Sequence, residues 1–257
     1  MTLQAMFGLA GRSAFVTGGA SGLGRAMAFG LSEAGAEVTL FDRSAGDLTR
    51  TMADLRSDGH HAIGVQGDVT DAPGLTQAIA DCHGRAGALD IVIANAGVSE
   101  RTPAPLHDLT PEDWRHVINV NLDGVFHTLQ PALRLMVDQG YGKVILIGSM
   151  FGLAAPAGLF PRPAYAAAKG AIANLTRELA LEYAPSNIQV NAILPGFFRT
   201  PTRPRTEDDA TRMAAYTPLG RLGHADEIKG AAVFLSSPAS DFMTGSLLTI
   251  DGGVLAR

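Results

Sequence analysis

From Arg12 onward, short runs of β-branched and apolar residues alternate with longer stretches of helical period, and no other property of the sequence restricts the possible folds so sharply. Strands are predicted at Ser13–Val16, Glu37–Phe41, Ala62–Gln66, Ile91–Ala94, Lys143–Ile147, Gln189–Leu194 and Leu247–Ile250. The runs Ile-Val-Ile-Ala at 91–94 and Val-Ile-Leu-Ile at 144–147 are apolar at every position, as strands buried on both faces must be, which places them near the centre of a parallel sheet. With 257 residues, 46% of them hydrophobic, the chain can bury a sizeable core. The expected fold is α/β: a single domain over residues 1–257, built on a doubly wound parallel sheet of about seven strands flanked by helices.

Helix starts are marked between these strands. Thr110-Pro111-Glu112-Asp113 combines a cap residue, proline at the first helical position and acids at the positive helix end, so a long helix is expected there. Another is expected from Pro163, with Ala168, Ile172, Leu175 and Leu179 forming one apolar face. Residues 197–224 break the rhythm with prolines, glycines and mixed charge, which reads as a lid over a substrate site rather than a linker.

A formal charge of −5 offers no concentrated positive surface, so neither nucleic acid nor an anionic membrane is expected as a partner. The single cysteine, Cys82, rules out an internal disulfide and a cysteine-based metal site, and suits a reducing compartment. There is no basic leader and no apolar run long enough to span a bilayer, so a cytoplasmic protein without a targeting peptide is expected. No metal is called for.

Thr17-Gly18-Gly19-Ala20-Ser21-Gly22-Leu23-Gly24 directly follows the first strand and opens a helix. In that position Gly18 permits a tight turn, Gly22 a close approach of backbone to a pyrophosphate, and Gly24 close packing of helix on strand, while the free N–H groups of the helix start meet negative charge. Asp42 ends the second strand 24 positions after Gly18, where a carboxylate accepts from both hydroxyls of an adenosine ribose. Its charge would repel a ribose phosphate, although Arg43 beside it offers a compensating cation, so NAD is expected ahead of NADP. As a plain alternative, Asp42 caps the following helix.

Tyr165 and Lys169 stand four apart within the helix expected from Pro163, so both side chains project from one face. A phenol is a poor base at neutral pH, and a neighbouring ammonium favours its phenolate, which would make the pair a proton-transfer unit. Taken alone, such a spacing better fits a partly exposed tyrosine beside a surface lysine, and only its context reverses that reading.

The order Thr17–Gly24, Asp68-Val69, Asn95-Ala96-Gly97, Asn121, Ser149, Tyr165-Ala-Ala-Ala-Lys169, Pro195-Gly196 and Asp251-Gly252-Gly253 resembles the short-chain dehydrogenase/reductase family over nearly the whole chain. The resemblance implies a Rossmann fold, an NAD-dependent alcohol dehydrogenase or carbonyl reductase, and a role for each matching position. Tyr165 would be the general acid/base and Lys169 would bind the nicotinamide ribose and favour the phenolate. Ser149 would hydrogen-bond the substrate oxygen, and Asn121 would hold a water extending the proton path. Ser21 and Leu23 would join Gly18, Gly22 and Gly24 at the cofactor, Asp68 and Val69 would contact adenine, and Asn95, Ala96 and Gly97 would lie beside its ribose. Thr200, after Pro195 and Gly196, would reach the nicotinamide carboxamide. A homotetramer is also implied. Bland readings stand beside these: a helix cap for Asp68, a strand-end turn for Asn95, a core hydroxyl for Ser149, a buried amide for Asn121.

Two departures from the family pattern are visible. Ala94 replaces the asparagine that usually precedes Asn95, and the sixteen positions from Ser149 to Tyr165 exceed the common spacing, with the extra material in 156–163. That loop brings Phe160 and Arg162 either to the substrate pocket or to solvent. Met150, Phe151, Phe197, Phe198 and Tyr216 suggest an apolar pocket, whereas Arg162, Arg199 and Arg203 suggest a polar or anionic substrate. The leading expectation is oxidation of a secondary alcohol, polyol or sugar, or reduction of the corresponding ketone. The alternatives are a 3-oxoacyl thioester reductase and, from another class, a catalytically silent nucleotide-binding sensor.

Overall fold

The structure, a computed structural model, describes residues 2–155, 159–200 and 206–256. Its strands are β1 (Ser13–Thr17), β2 (Glu37–Asp42), β3 (Ala62–Gln66), β4 (Ile91–Ala94), β5 (Gly142–Ile147), β6 (Ile188–Pro195), β7 (Phe198–Arg199), β8 (Gly223–His224) and β9 (Leu247–Ile250). Its helices are α1 (Leu3–Phe7), α2 (Gly22–Glu33), α3 (Ala45–Ser57), α4 (Ala72–Ala86), α5 (Pro111–Ile118), α6 (Gly124–Gln139), α7 (Pro163–Tyr183), α8 (Glu207–Tyr216) and α9 (Lys229–Ser236). Seven strands form one parallel sheet in the order β3-β2-β1-β4-β5-β6-β9, a single α/β domain as the sequence pattern requires.

The pleat sorts the apolar strand residues onto two cores. Phe15, Val92, Val144 and Leu146 face Leu75 and Ile79 of α4, Leu129 and Leu133 of α6, and Ile172 of α7. Their neighbours Val16, Ile93 and Ile145 face Met27 and Leu31 of α2, Leu48 and Leu55 of α3, and Leu235 of α9. Because β1 pairs with β2 on one side and β4 on the other, the winding reverses between β1 and β4. A crevice opens there at the carboxyl ends of the strands, and ligands of doubly wound sheets bind in it.

The helix expected from Thr110 is one helical path interrupted by a wider π turn at Asn119–Asp123, between α5 and α6. Thr110 caps it, its Oγ1 accepting from the Asp113 N–H at 3.1 Å. The 197–224 excursion is closed at its base by the pairing of β7 with β8, a short ribbon with too little periodicity to be read from sequence. Arg221 on the returning arm binds Glu227 through two contacts of 2.7 Å, and this pairing, aided by the His224 N–H, holds the Glu227 carboxyl down to about 2. Arg203 and residues 156–158 of the lengthened loop lie outside the described residues. Among the described residues no helix is long and apolar enough to cross a membrane.

At the amino end of β5, the strand that leads to Ser149, Lys143 is fully buried with its Nζ 2.8 Å from Asp241 Oδ1. Burial pushes Lys143 below the ordinary lysine value of 10.5, and the bond to Asp241 offsets part of that shift. With the folded value below the unfolded one, the unfolded chain binds the extra proton between the two, so this group's contribution to stability rises with pH across that interval. Asp241→Asn strips the counter-charge from the buried ammonium. The expected cost near neutral pH is about 1–3 kcal/mol, less than for a fully enclosed pair because the Asp241 side chain is 60% exposed. The deficit should shrink as the pH is raised toward the ordinary lysine value. Urea unfolding at neutral and alkaline pH checks this, and an equal deficit at both would contradict it.

Candidate active site

The glycine turn after β1 is wedged between two segments. Gly18 and Gly22 take φ of +62° and +55°, a backbone region that favours glycine. Asn95 Nδ2 donates to the carbonyls of Thr17 and Gly18, both at 3.0 Å, while Thr17 Oγ1 accepts from the backbone N–H groups of Asn95 and Ala96 at 3.0 and 3.2 Å. A Cβ on Gly18 would stand 2.9 Å from Asn95 Nδ2, and one on Gly24 would overlap the Gly18 carbonyl oxygen. Ser21 is the cap residue of α2 but makes no side-chain capping bond, so the first N–H groups of the helix lack that acceptor. A narrow backbone cradle at a helix start is thus present, and it suits a pyrophosphate.

Across the crevice, α7 carries Tyr165 and Lys169, and the carboxyl end of β5 leads through Gly148 to Ser149. Lys169 is 3% exposed, and its Nζ donates to the Ile147 carbonyl at 2.6 Å and stands 5.8 Å from the centre of the Tyr165 ring. Ser149 is buried, its Oγ accepting from the Phe151 N–H at 3.1 Å. The π turn places Asn121 inward, where Nδ2 donates to the Val98 and Val117 carbonyls, both at 2.8 Å. Its Oδ1 is buried without a partner among the described residues. A Cβ on Gly97 would lie 2.7 Å from that oxygen and 3.7 Å from Lys169 Nζ, so the three positions adjoin.

One cavity of about 800 Å³ joins the two ends. Gly18, Ser21, Gly22, Leu23, Asn95, Ala96, Gly97, Asn121, Ser149, Tyr165, Lys169, Pro195, Gly196 and Thr200 line it, as do the expected pocket residues Met150, Phe160, Arg162, Phe197 and Phe198. Tyr216 is placed behind Phe197, with ring centroids 6.3 Å apart, rather than on the wall. Gly24 is buried under the turn. Asp42, Arg43, Asp68 and Val69 sit off the cavity lining, at or just beyond the carboxyl ends of β2 and β3. Asp68 Oδ1 accepts from the Thr70 N–H at 2.9 Å, and Asp71, not Asp68, caps α4.

The excursion forms the outer wall. Met213 of α8 packs with Met150, Phe197, Leu222 and Val254, while Arg212 reaches over the Phe160 ring at 5.4 Å and donates to the Leu159 carbonyl at 3.2 Å. Thr206, Asp209 and Met213 therefore line the cavity. Glu100, which also lines it, went unnoticed in the sequence: its side chain is buried, its Oε1 accepts from the Tyr165 N–H at 3.1 Å, and its Oε2 accepts from Ser99 Oγ at 3.0 Å. The available signal was Arg162 at the cap of α7, a residue type with no acceptor to offer. The acceptor's identity is a tertiary fact. Among the described residues, no group of His, Cys, Asp or Glu is arranged to hold a metal ion.

The chain is similar to known proteins over nearly its whole length. The profile of a family described as enoyl-(acyl carrier protein) reductase matches residues 18–255. A cis-4-hydroxycyclohexanecarboxylate dehydrogenase from Sinomonas cyclohexanicum is 41% identical, over 95% of this chain and 97% of its own. The chain belongs to the short-chain dehydrogenase/reductase family. It is an enzyme of the oxidoreductase class. The crystal structure of a gluconate 5-dehydrogenase from Burkholderia cenocepacia, in complex with NADP and tartrate, is 36% identical with a TM-score of 0.91, covering all of both chains. A further structure, from Agrobacterium tumefaciens with bound NADP, is 38% identical with a TM-score of 0.87, covering 98% of this chain and 99% of that one.

These complexes overturn the expectation that NAD takes precedence over NADP in this short-chain dehydrogenase/reductase. The geometry at Asp42 gives the reason. Its Oδ2 accepts from the Ala20 N–H at 3.2 Å and its Oδ1 from the Ser44 N–H at 3.1 Å, so the carboxylate also serves the local backbone, and Arg43 stands exposed beside it. A strand-end aspartate in that setting does not rank the two cofactors.

Gly24→Ala should force the turn and α2 apart. The expected loss is about 1–3 kcal/mol from overpacking, read as a lower urea midpoint, and a wild-type midpoint would show that the turn has slack.

Proposed function

We propose that this enzyme exchanges a hydride between NAD(P) and a small secondary alcohol or its ketone, with polyols, sugar acids and cyclic hydroxy acids as the substrate class. The observation that carries the reading is that Ser149, Tyr165 and Lys169 line the same cavity as the glycine cradle. The names of the relatives, a hydroxycyclohexanecarboxylate dehydrogenase and a gluconate 5-dehydrogenase, support the substrate class.

Gly18, Ser21, Gly22, Leu23 and Gly24 would hold the pyrophosphate, with Asp42, Arg43, Asp68 and Val69 toward the adenosine end and Asn95, Ala96 and Gly97 beside it. Pro195, Gly196 and Thr200 would hold the nicotinamide end. When bound, the cofactor supplies or accepts the hydride. Ser149 orients the substrate oxygen by a hydrogen bond. Tyr165 takes the hydroxyl proton during oxidation and returns it during reduction. Lys169 would bind the nicotinamide ribose beside Tyr165, and its Nζ is itself fixed by the Ile147 carbonyl. Asn121 Oδ1 would hold a water that passes the proton outward from Lys169. The 197–224 excursion acts as a lid whose Arg212 clasp on Phe160 and Leu159 shuts the outer wall, and Met150, Phe197 and Phe198 supply the apolar face met by the substrate's carbon skeleton. Phe126 and Val137 on α6 and Leu181 on α7 are exposed apolar residues that support the homotetramer reading.

The test is a panel of cis-4-hydroxycyclohexanecarboxylate, D-gluconate, galactitol and an acetoacetyl thioester, assayed with NAD(H) and NADP(H) by absorbance of the reduced cofactor. Turnover of at least one of the three alcohols above the thioester rate is expected. Tyr165→Phe should lower kcat by about a thousandfold or more while leaving the Kd for reduced cofactor within about twofold. Retained turnover in that variant contradicts the mechanism. Light scattering should give four times the monomer mass, and a monomer would remove the assembly reading.

A further inference from the structure

Helix α7 has an unusual start for a helix that carries a proton-transfer residue. Its cap position is Arg162, whose guanidinium has donors only, and its first residue is Pro163, which has no N–H. The orphan donors of the first turn therefore begin with Ala164 and Tyr165, and nothing on the helix itself satisfies the Tyr165 N–H. Glu100, in the loop after β4, supplies the missing acceptor from 65 positions away, its Oε1 lying 3.1 Å from the Tyr165 nitrogen. The remainder of Glu100 is fixed as well. Ser99 Oγ donates to Oε2, and the Arg162 Nη1 donates to the Glu100 carbonyl and lies 3.9 Å from Oε2. The Glu100 side chain is fully enclosed, so its charge is met by Arg162 and by the positive end of α7 rather than by water.

We propose that Glu100 is a positioning residue of this active site: as a capping carboxylate supplied from outside the helix, it fixes the first turn of α7 and thereby the place of Tyr165 in the cavity it shares with Ser149. Glu100 transfers no proton. It acts by holding the backbone of the residue that does, and by holding Arg162 against the same loop. Catalysis is steep in such placement, since a displacement of about 1 Å costs on the order of a hundredfold. This inference rests on the proton-transfer role given to Tyr165 above.

The test compares Glu100→Ala with Glu100→Gln in the full-length enzyme, using the fastest alcohol of the panel. Glutamine keeps an oxygen for the Tyr165 N–H but replaces the charged second oxygen, which accepts from Ser99 Oγ, with an amide NH2; alanine loses both groups. Expected for Glu100→Ala is a fall in kcat of at least tenfold, with the Kd for reduced cofactor within twofold of wild type. Hydrogen-exchange mass spectrometry should show faster exchange confined to the first turn of α7. Glu100→Gln should recover kcat to within about threefold and restore the exchange protection. The proposal is overturned if Glu100→Ala keeps wild-type kcat, if glutamine fails to rescue, or if protection at the start of α7 is unchanged. Should alanine prevent folding, Glu100→Gln and Glu100→Leu at matched stability give the same contrast. The fate of Tyr165→Phe separates this outcome from the parent reading: if that variant is dead while Glu100→Ala is fully active, the mechanism stands and only the positioning role falls.

Discussion

The buried ammonium of Lys169 sets the terms for everything around it. A lysine 3% exposed has given up most of its hydration, and such a charge persists only where acceptors are fixed in place for it. The Ile147 carbonyl, at 2.6 Å, is one such acceptor, and Ile147 is the last residue of β5, a strand held by β4 on one side and β6 on the other. The position of the charge is therefore a property of the sheet rather than of a loop. Around it the chain has no room to vary: a side chain at Gly97 would press on Asn121, and Gly152 lies against the Lys169 backbone.

Most of this framework was legible in the sequence because it is written in local period and in residue types with a single structural use. The all-apolar runs at 91–94 and 144–147 pointed to central strands, and the limits of the seven predicted strands fall within one residue of the observed ones. Thr110 and Pro111 announced their helix start for the same reason. The π turn at Asn119–Asp123 left no such mark, since its residues continue the helical pattern and only the tertiary setting turns Asn121 inward. The β7–β8 ribbon is too short to carry periodicity.

What escaped the sequence at the site itself shares one cause. Glu100 is a carboxylate in an irregular loop, and its meaning comes entirely from the N–H it faces across the fold. Asp42 shows the converse. Its position at the end of β2 was predicted correctly, yet the inference from its charge to a cofactor preference failed, because the carboxylate also binds the backbone of Ala20 and Ser44 and its neighbour is a cation. Position was readable from pattern, whereas the electrostatic weight of a charge depends on every group within a few ångströms.

One cavity joins the nucleotide cradle to the tyrosine–lysine pair, and the proposed reaction passes a hydride directly between the cofactor and a carbinol carbon there. The most direct measurement is isotope tracing with reduced cofactor dideuterated at C4 of the nicotinamide, using 4-oxocyclohexanecarboxylate or 5-keto-D-gluconate as acceptor and mass spectrometry of the alcohol formed. One deuterium bound to the new carbinol carbon and a solvent-derived proton on its oxygen are expected. A product whose carbinol carbon carries hydrogen from solvent, or no product from either ketone with either cofactor, would contradict it.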